Sequence, residues 1–239
     1  MIYTLDDFKR EFSTIQAQGW IRTHRSGPTG IGKTLEDLLG IPENNLDMPD
    51  FGEYELKSCR VNSNSMLTMF TLSPQPRGSN SYLLNKFGYV SSAYDNDEKV
   101  LHASLTASRL APIYDTGMLL GIDCDVDKIS IASQLGVEHV FWTRDSLKSA
   151  FEKKYKNKFV YAYAEARGED EFEEFRFIEA YEMSGFDYDS LIDLLEKGRI
   201  VIDLRIGQYP DGRTHDHGTA FRIKASDQPL LFKIKRKIC

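Results

Sequence analysis

A mixed α/β fold is predicted by three features of this sequence. Apolar residues recur at helical spacing in separated segments, short alternating runs fill the middle, and a helix, a hairpin and a strand follow one another near the front. In residues 5–18, Leu5, Phe8, Phe12 and Ile15 share one helix face, with Thr4 placed to cap it and Gly19 to end it. A glycine-rich turn at 27–32 leads into a short helical pattern at 33–39 closed by Gly40. Residues 48–59 read as a hairpin turning near Gly52, 66–72 as the next strand, and 79–87 as a helix behind a Pro-rich loop. Strand patterns follow at 100–106, 118–123, 129–132 and 140–143, then a helix at 145–155. Residues 159–166 and 175–183 alternate like strands joined by an acidic turn. An amphipathic helix at 188–197 ends at Gly198, and strands at 200–206 and 219–223 flank a polar loop at 207–218.

The 239 residues are enough for one domain of two lobes, or two small domains, around a sizeable core. No apolar stretch approaches the length of a membrane span, and the first residues lack the apolar core of a signal peptide. Cys59, Cys124 and Cys239 are scattered and odd in number, which fits neither a disulfide framework nor a paired zinc spacing. A soluble, cytoplasmic protein is expected. The net charge of −6 does not exclude a nucleic-acid partner, because acid is concentrated in runs such as 169–174 and 95–98. Basic residues cluster elsewhere: Arg22, His24, Arg25 and Lys33 early, Arg205, Arg213 and Arg222 late, and residues 233–237 at the end.

Residues 49–58 (PDFGEYELKS) hold the most suggestive chemistry. On a strand, Glu55 and Lys57 project to one side and Leu56 to the core, and Asp50 lies just across the turn. Two carboxylates suit Mg²⁺, a hard cation that bridges to phosphate, and a neighbouring lysine can orient water and offset phosphate charge. Phosphodiester hydrolysis needs this combination. The same spacing also fits a surface hairpin with solvated charges.

Residues 27–34 (GPTGIGKT) match the short signature of a nucleotide-binding loop, and residues 118–123 could imitate its acidic partner strand. Such a loop follows a buried strand and opens a long helix. Here WIRTHRS precedes it, and Gly40 and Pro42 stop the helix early, so no nucleotide partner is expected. The glycines with Lys33 and Arg25 could instead let backbone approach a DNA phosphate, or simply position the next helix.

Thr214-His215-Asp216-His217 forms a second polar cluster. A third histidine or cysteine is absent nearby in sequence, so zinc is not expected. Asp203, Arg205, His215, Asp216, His217 and Arg222 together offer the side chains that read guanine and cytosine edges in the major groove. A solvated polar loop is the alternative.

The segment around Asp50, Glu55 and Lys57 resembles the PD-(D/E)XK nuclease motif. The blocks GPTGIGKTLEDLLGIPENNLDMPD, LTMFTLSPQPRG and THDHGTAFRI are similar to segments of the MvaI/BcnI family of type II restriction endonucleases, closer to its MvaI branch. They spread from about residue 27 to residue 223, while residues 91–155 match less clearly. The resemblance implies a mixed sheet flanked by helices, with two lobes around a DNA cleft. Residues 1–150 would be the catalytic lobe and 151–239 the target-recognition lobe.

It further implies Mg²⁺ held by Asp50 and Glu55 with the Leu56 carbonyl, Lys57 as the catalytic lysine, and Glu36 in support. Glu36 resembles the helix glutamate of this group and of the related MutH nickases, although an exposed helix charge explains it equally. The implied activity is cleavage of double-stranded DNA at a CC-x-GG site, with CC(A/T)GG the expected form, by a monomer that nicks one strand and rebinds for the other. A partner-dependent repair nickase like MutH, a non-catalytic DNA-binding module and a P-loop NTPase are the alternatives.

Overall fold

The computed structural model describes residues 4–42, 49–61, 66–92, 97–114, 116–154 and 158–239. Along the chain run α1 (Leu5–Ala17), β1 (Ile21–Arg22), α2 (Gly30–Leu38), β2 (Tyr54–Arg60), β3 (Met66–Thr71), α3 (Ser79–Phe87), β4 (Tyr89–Val90) and β5 (Lys99–Leu105). They are followed by β6 (Ala111–Pro112), β7 (Leu119–Cys124), β8 (Lys128–Ser133), β9 (Gly136–Thr143), α4 (Arg144–Lys154), β10 (Lys158–Arg167) and β11 (Glu174–Phe186). The last elements are α5 (Tyr188–Glu196), β12 (Ile200–Gln208), β13 (Thr214–Asp216), β14 (Ala220–Lys224) and β15 (Phe232–Lys237). This is the mixed α/β class. Among the described residues no helix is long and apolar enough to cross a membrane.

The chain divides into two compact units, neither of them contiguous. One takes residues 1–65, 155–187 and 228–239, and the other 66–154 and 188–227. A single boundary near residue 150 was expected. The units interleave instead because β10 lies parallel to β2, with Lys158 opposite Tyr54 and Ala164 opposite Arg60. The strand that carries Glu55 and Lys57 is therefore completed by residues from far along the chain.

In the first unit, β1, β11, β10 and β2 form a mixed sheet, with β15 added alongside β11. The α1 helix starts at a capping box: Thr4 Oγ1 accepts from the Asp7 amide at 3.1 Å, and Asp7 Oδ2 accepts from the Thr4 amide at 3.1 Å. Its Phe8, Phe12 and Ile15 join Ile31 and Leu35 of α2, Leu56 of β2, and Val160, Phe175 and Phe177 in one buried cluster. Two details differ from the sequence-based expectation. The α2 helix begins at Gly30, so part of the glycine-rich turn is helical. The expected hairpin reduces, among the described residues, to a tight turn with one bridge between Phe51 and Tyr54, and residue 48 lies outside them. The basic end of the chain is a strand, paired antiparallel to β11.

In the second unit, β3, β14, β12, β5 and β4 form an antiparallel sheet with β13 on β12, and β6 to β9 form another. Phe221 is the packing centre, with Phe70 stacked at 4.7 Å and Trp142 edge-on at 5.6 Å. Glu138 of β9 is 8 % exposed, and its charge is satisfied by Tyr82 Oη at 2.5 Å, Lys86 Nζ at 2.7 Å and Ser133 Oγ at 2.7 Å. Burial alone would raise its pKa, but the hydrogen bonds from Lys86, Tyr82 and Ser133 hold it below the usual glutamate value. A carboxyl depressed in the folded state contributes stability above its unfolded pKa and loses it as pH falls through the folded value. Glu138→Ala is therefore expected to cost about 2–4 kcal/mol at neutral pH, with the deficit shrinking in acid below the ordinary glutamate range. Urea melts of both proteins across pH check this.

Candidate active site

Strand alternation sets the first unit's chemistry. Tyr54 and Leu56 are buried, while Glu55 and Lys57 are half-buried on the other face. Lys57 Nζ donates to Glu55 Oε1 at 2.6 Å. Asp50 sits ahead of the tight turn, and its Oδ2 accepts from the Leu56 amide at 2.7 Å, which fixes the carboxylate against the middle of β2. Burial pushes its pKa up, the Leu56 hydrogen bond opposes this, and the Glu55 charge adds to the rise.

A cavity of about 360 Å³ brings together Arg25, Lys33 and Glu36 from the α2 region with Asp50, Leu56 and Lys57. Glu55 does not line it. Asp50 is desolvated and feels the Glu55 charge, which a nearby cation would relieve. Among the described residues no three histidine, cysteine or acidic side chains converge to hold a metal. Two carboxylates nevertheless suit Mg²⁺, which keeps several waters of its own.

The glycine-rich loop is shaped by close contacts. A Cβ on Gly30 would lie 2.2 Å from the Arg25 carbonyl oxygen and 2.7 Å from Thr23 Oγ1. Gly30→Ala is thus expected to destabilise the protein by about 1–3 kcal/mol through forced backbone movement, read as a lower Tm. The preceding strand has two residues and α2 has nine, unlike the setting of a nucleotide-binding loop. Lys33 Nζ is 2.7 Å from Asp37 Oδ1, and His24 Nδ1 is 3.0 Å from the other Asp37 oxygen. The hydrogen bonds from Lys33 and His24 lower the Asp37 pKa.

In the second unit, the β12 register places Arg205 opposite His102, Asp203 opposite Ser104 and Gly207 opposite His215. Asp203 is 5 % exposed and accepts from Ser104 Oγ at 2.8 Å, Arg205 Nη2 at 3.0 Å and Arg222 Nη1 at 3.2 Å. The two arginines are thus oriented by one buried carboxylate. His215 and His217 lie with ring centroids 4.4 Å apart. Asp216 departs from this group. It pairs with Ile206, one position out of phase with Arg205, and accepts from Asn80 Nδ2 at 3.0 Å and from the Gly218 amide at 2.8 Å.

A profile of the MvaI/BcnI restriction endonuclease family matches residues 9–232. The chain belongs to that family. Among solved structures it is similar to "Restriction endonuclease MvaI-cognate DNA substrate complex", with 33% identity over 100% of both chains and a TM-score of 0.72. It is also similar to "Restriction endonuclease MvaI in the absence of DNA", with 32% identity, a TM-score of 0.68, and coverage of 100% of this chain and 99% of that one. Among curated protein sequences there is no match.

Two residues of this MvaI/BcnI-family chain escaped the sequence-based expectation. Arg60 holds Glu173 through two bonds at 2.6 and 2.7 Å and donates to the carbonyls of Pro28 at 3.1 Å and Gly27 at 3.3 Å. It therefore ties the glycine-rich loop to the end of β2. Its local signal was only its place three residues after Lys57. His102 had no local signal, because strand pairing alone brings it beside Arg205.

Proposed function

We propose that this restriction endonuclease hydrolyses phosphodiester bonds of double-stranded DNA at Asp50, Glu55 and Lys57, using Mg²⁺, at a CC-x-GG site of the form CC(A/T)GG. The observation that carries this reading is the meeting of Asp50, Leu56, Lys57 and Glu36 around one cavity that Arg25 and Lys33 also line. Asp50, Glu55 and the Leu56 carbonyl would hold the ion. When bound, Mg²⁺ supplies Lewis acidity to a phosphate oxygen and lowers the cost of deprotonating water.

The chain's own groups account for the rest. Asp50, pinned by the Leu56 amide, presents a fixed anionic oxygen beside the scissile phosphate. The Lys57 ammonium, held by Glu55, orients the attacking water and offsets charge as it builds on phosphorus. Glu36 supports the water's position from α2. Water attacks phosphorus in line, the phosphorus–oxygen bond to the 3′ carbon's oxygen breaks, and that oxygen takes up a proton. Arg25, Lys33 and the glycine backbone would seat a neighbouring phosphate. Arg205, Arg222, His215 and His217 form the base-reading set, with Asp203 orienting the two arginines and Asp216 standing apart on Asn80 and the Gly218 amide. The first unit would carry the cutting and the second the reading.

An asymmetric central pair fits a monomer that nicks one strand and rebinds for the other. Duplexes containing CCAGG (whose other strand reads CCTGG), CCCGG or an unrelated sequence, each labelled on either strand, test the reading. Cutting of the first alone, through a nicked intermediate, is the expected result. Equal cutting of all three would remove the assigned site, and nicks that never become double-strand breaks would favour a repair nickase.

A further inference from the structure

We infer that His102 is a third histidine of the base-reading face, closing a recess around His215 and His217 that takes the polar edge of a base pair. A cavity of about 140 Å³ is lined by Glu98, His102, Gln208, His215 and His217. These residues come from β5, the segment before it, β12 and the loop carrying β13, so only the folded sheet assembles them. His102 stands directly opposite Arg205 on the neighbouring strand, and the His217 amide donates to the Arg205 carbonyl at 2.9 Å. The recess thus lies beside Arg205, which Asp203 holds.

Gly207 makes room for it. A Cβ at that position would lie 2.6 Å from His215 Nε2, so the absence of a side chain allows the imidazole to lie over β12. Burial, then the charge of Arg205 and the neighbouring His217, pulls the His102 pKa below its ordinary value. The lowered value favours the uncharged ring, in which one nitrogen donates and the other accepts. A neutral ring of this kind matches base edges, where donors and acceptors alternate, better than it matches a phosphate.

The inference rests on the proposed DNA cleavage, and its test separates the two. Wild type, His102→Ala, His102→Asn and Gly207→Ala are compared by anisotropy binding in EDTA and by competitive cleavage of every single-pair variant of the five-pair site. His102→Ala is expected to lose discrimination at one or two pairs by roughly 5–150-fold, through KM more than kcat. His102→Asn, which keeps a donor and an acceptor, recovers part of it. Gly207→Ala, which displaces His215, relaxes an overlapping set of pairs. If wild type is selective and His102→Ala, still folded by its melting curve, shows the same profile or a uniform loss, His102 is not a reader. Wild type that neither binds nor cuts any duplex overturns the base-reading recess together with the proposed function.

Discussion

Replacing Lys57 by alanine is expected to slow DNA cleavage by about 10²–10⁴-fold while leaving recognition of the site intact. The ammonium is held 2.6 Å from Glu55 on the half-buried face of β2, where it acts on the reaction and contributes little to packing. Removing it leaves the core cluster around Leu56 and Phe12 untouched, so the melting temperature should change little. Asp50→Asn provides the matched control for the carboxylate. The amide oxygen can still accept from Leu56, so the turn persists while a negative oxygen is lost. A similar loss of rate is expected, with binding in EDTA unchanged or tighter because one repulsive charge has gone. Single-turnover cleavage together with anisotropy separates the two effects. Full cleavage by either variant removes that residue from the chemistry.

The second large effect is expected at Arg205. Its guanidinium donates to Asp203 through Nε at 3.2 Å and Nη2 at 3.0 Å, while the side chain stays half exposed. Asp203 keeps Ser104 and Arg222 as partners when Arg205 becomes alanine, so the sheet should hold. One base pair of the target should then lose about 1–3 kcal/mol of discrimination. Lys33→Ala, altering a phosphate-seating group, should weaken binding evenly across sequences and lower the salt slope by about one. An even loss for Arg205→Ala would reassign that residue to the backbone.

Local pattern was enough to foretell the elements whose stability is local. The α3 helix, Ser79–Phe87, has the expected bounds, and Thr4 caps α1 as its position suggested. The strands β10 and β11 stand where they were expected, although residues 159–162 are buried on both faces instead of alternating. Features set by distant partners were less legible. The β15 strand alternates no apolar face, since all of it after Phe232 is exposed, and it exists because β11 offers an edge. The α2 helix begins among glycines that read as a turn, because Gly30 is demanded by a contact with Arg25. The grouping of Asp50, Glu55 and Lys57 could be proposed from spacing alone. Spacing did not reveal that Glu55, paired with Lys57, is not part of the cavity lining, nor that Asp50 is tethered by the amide of Leu56. The face that unites His102, Arg205 and His215 required the β5–β12–β13 register.

The most direct test is a digest of phage-sized DNA with the purified protein, in Mg²⁺ and in EDTA, beside Asp50→Asn. Discrete bands with wild type in Mg²⁺ alone, sharing one short sequence at their ends, are the predicted result. Cutting that persists in EDTA or in the Asp50→Asn lane would contradict a metal-assisted centre at Asp50, Glu55 and Lys57.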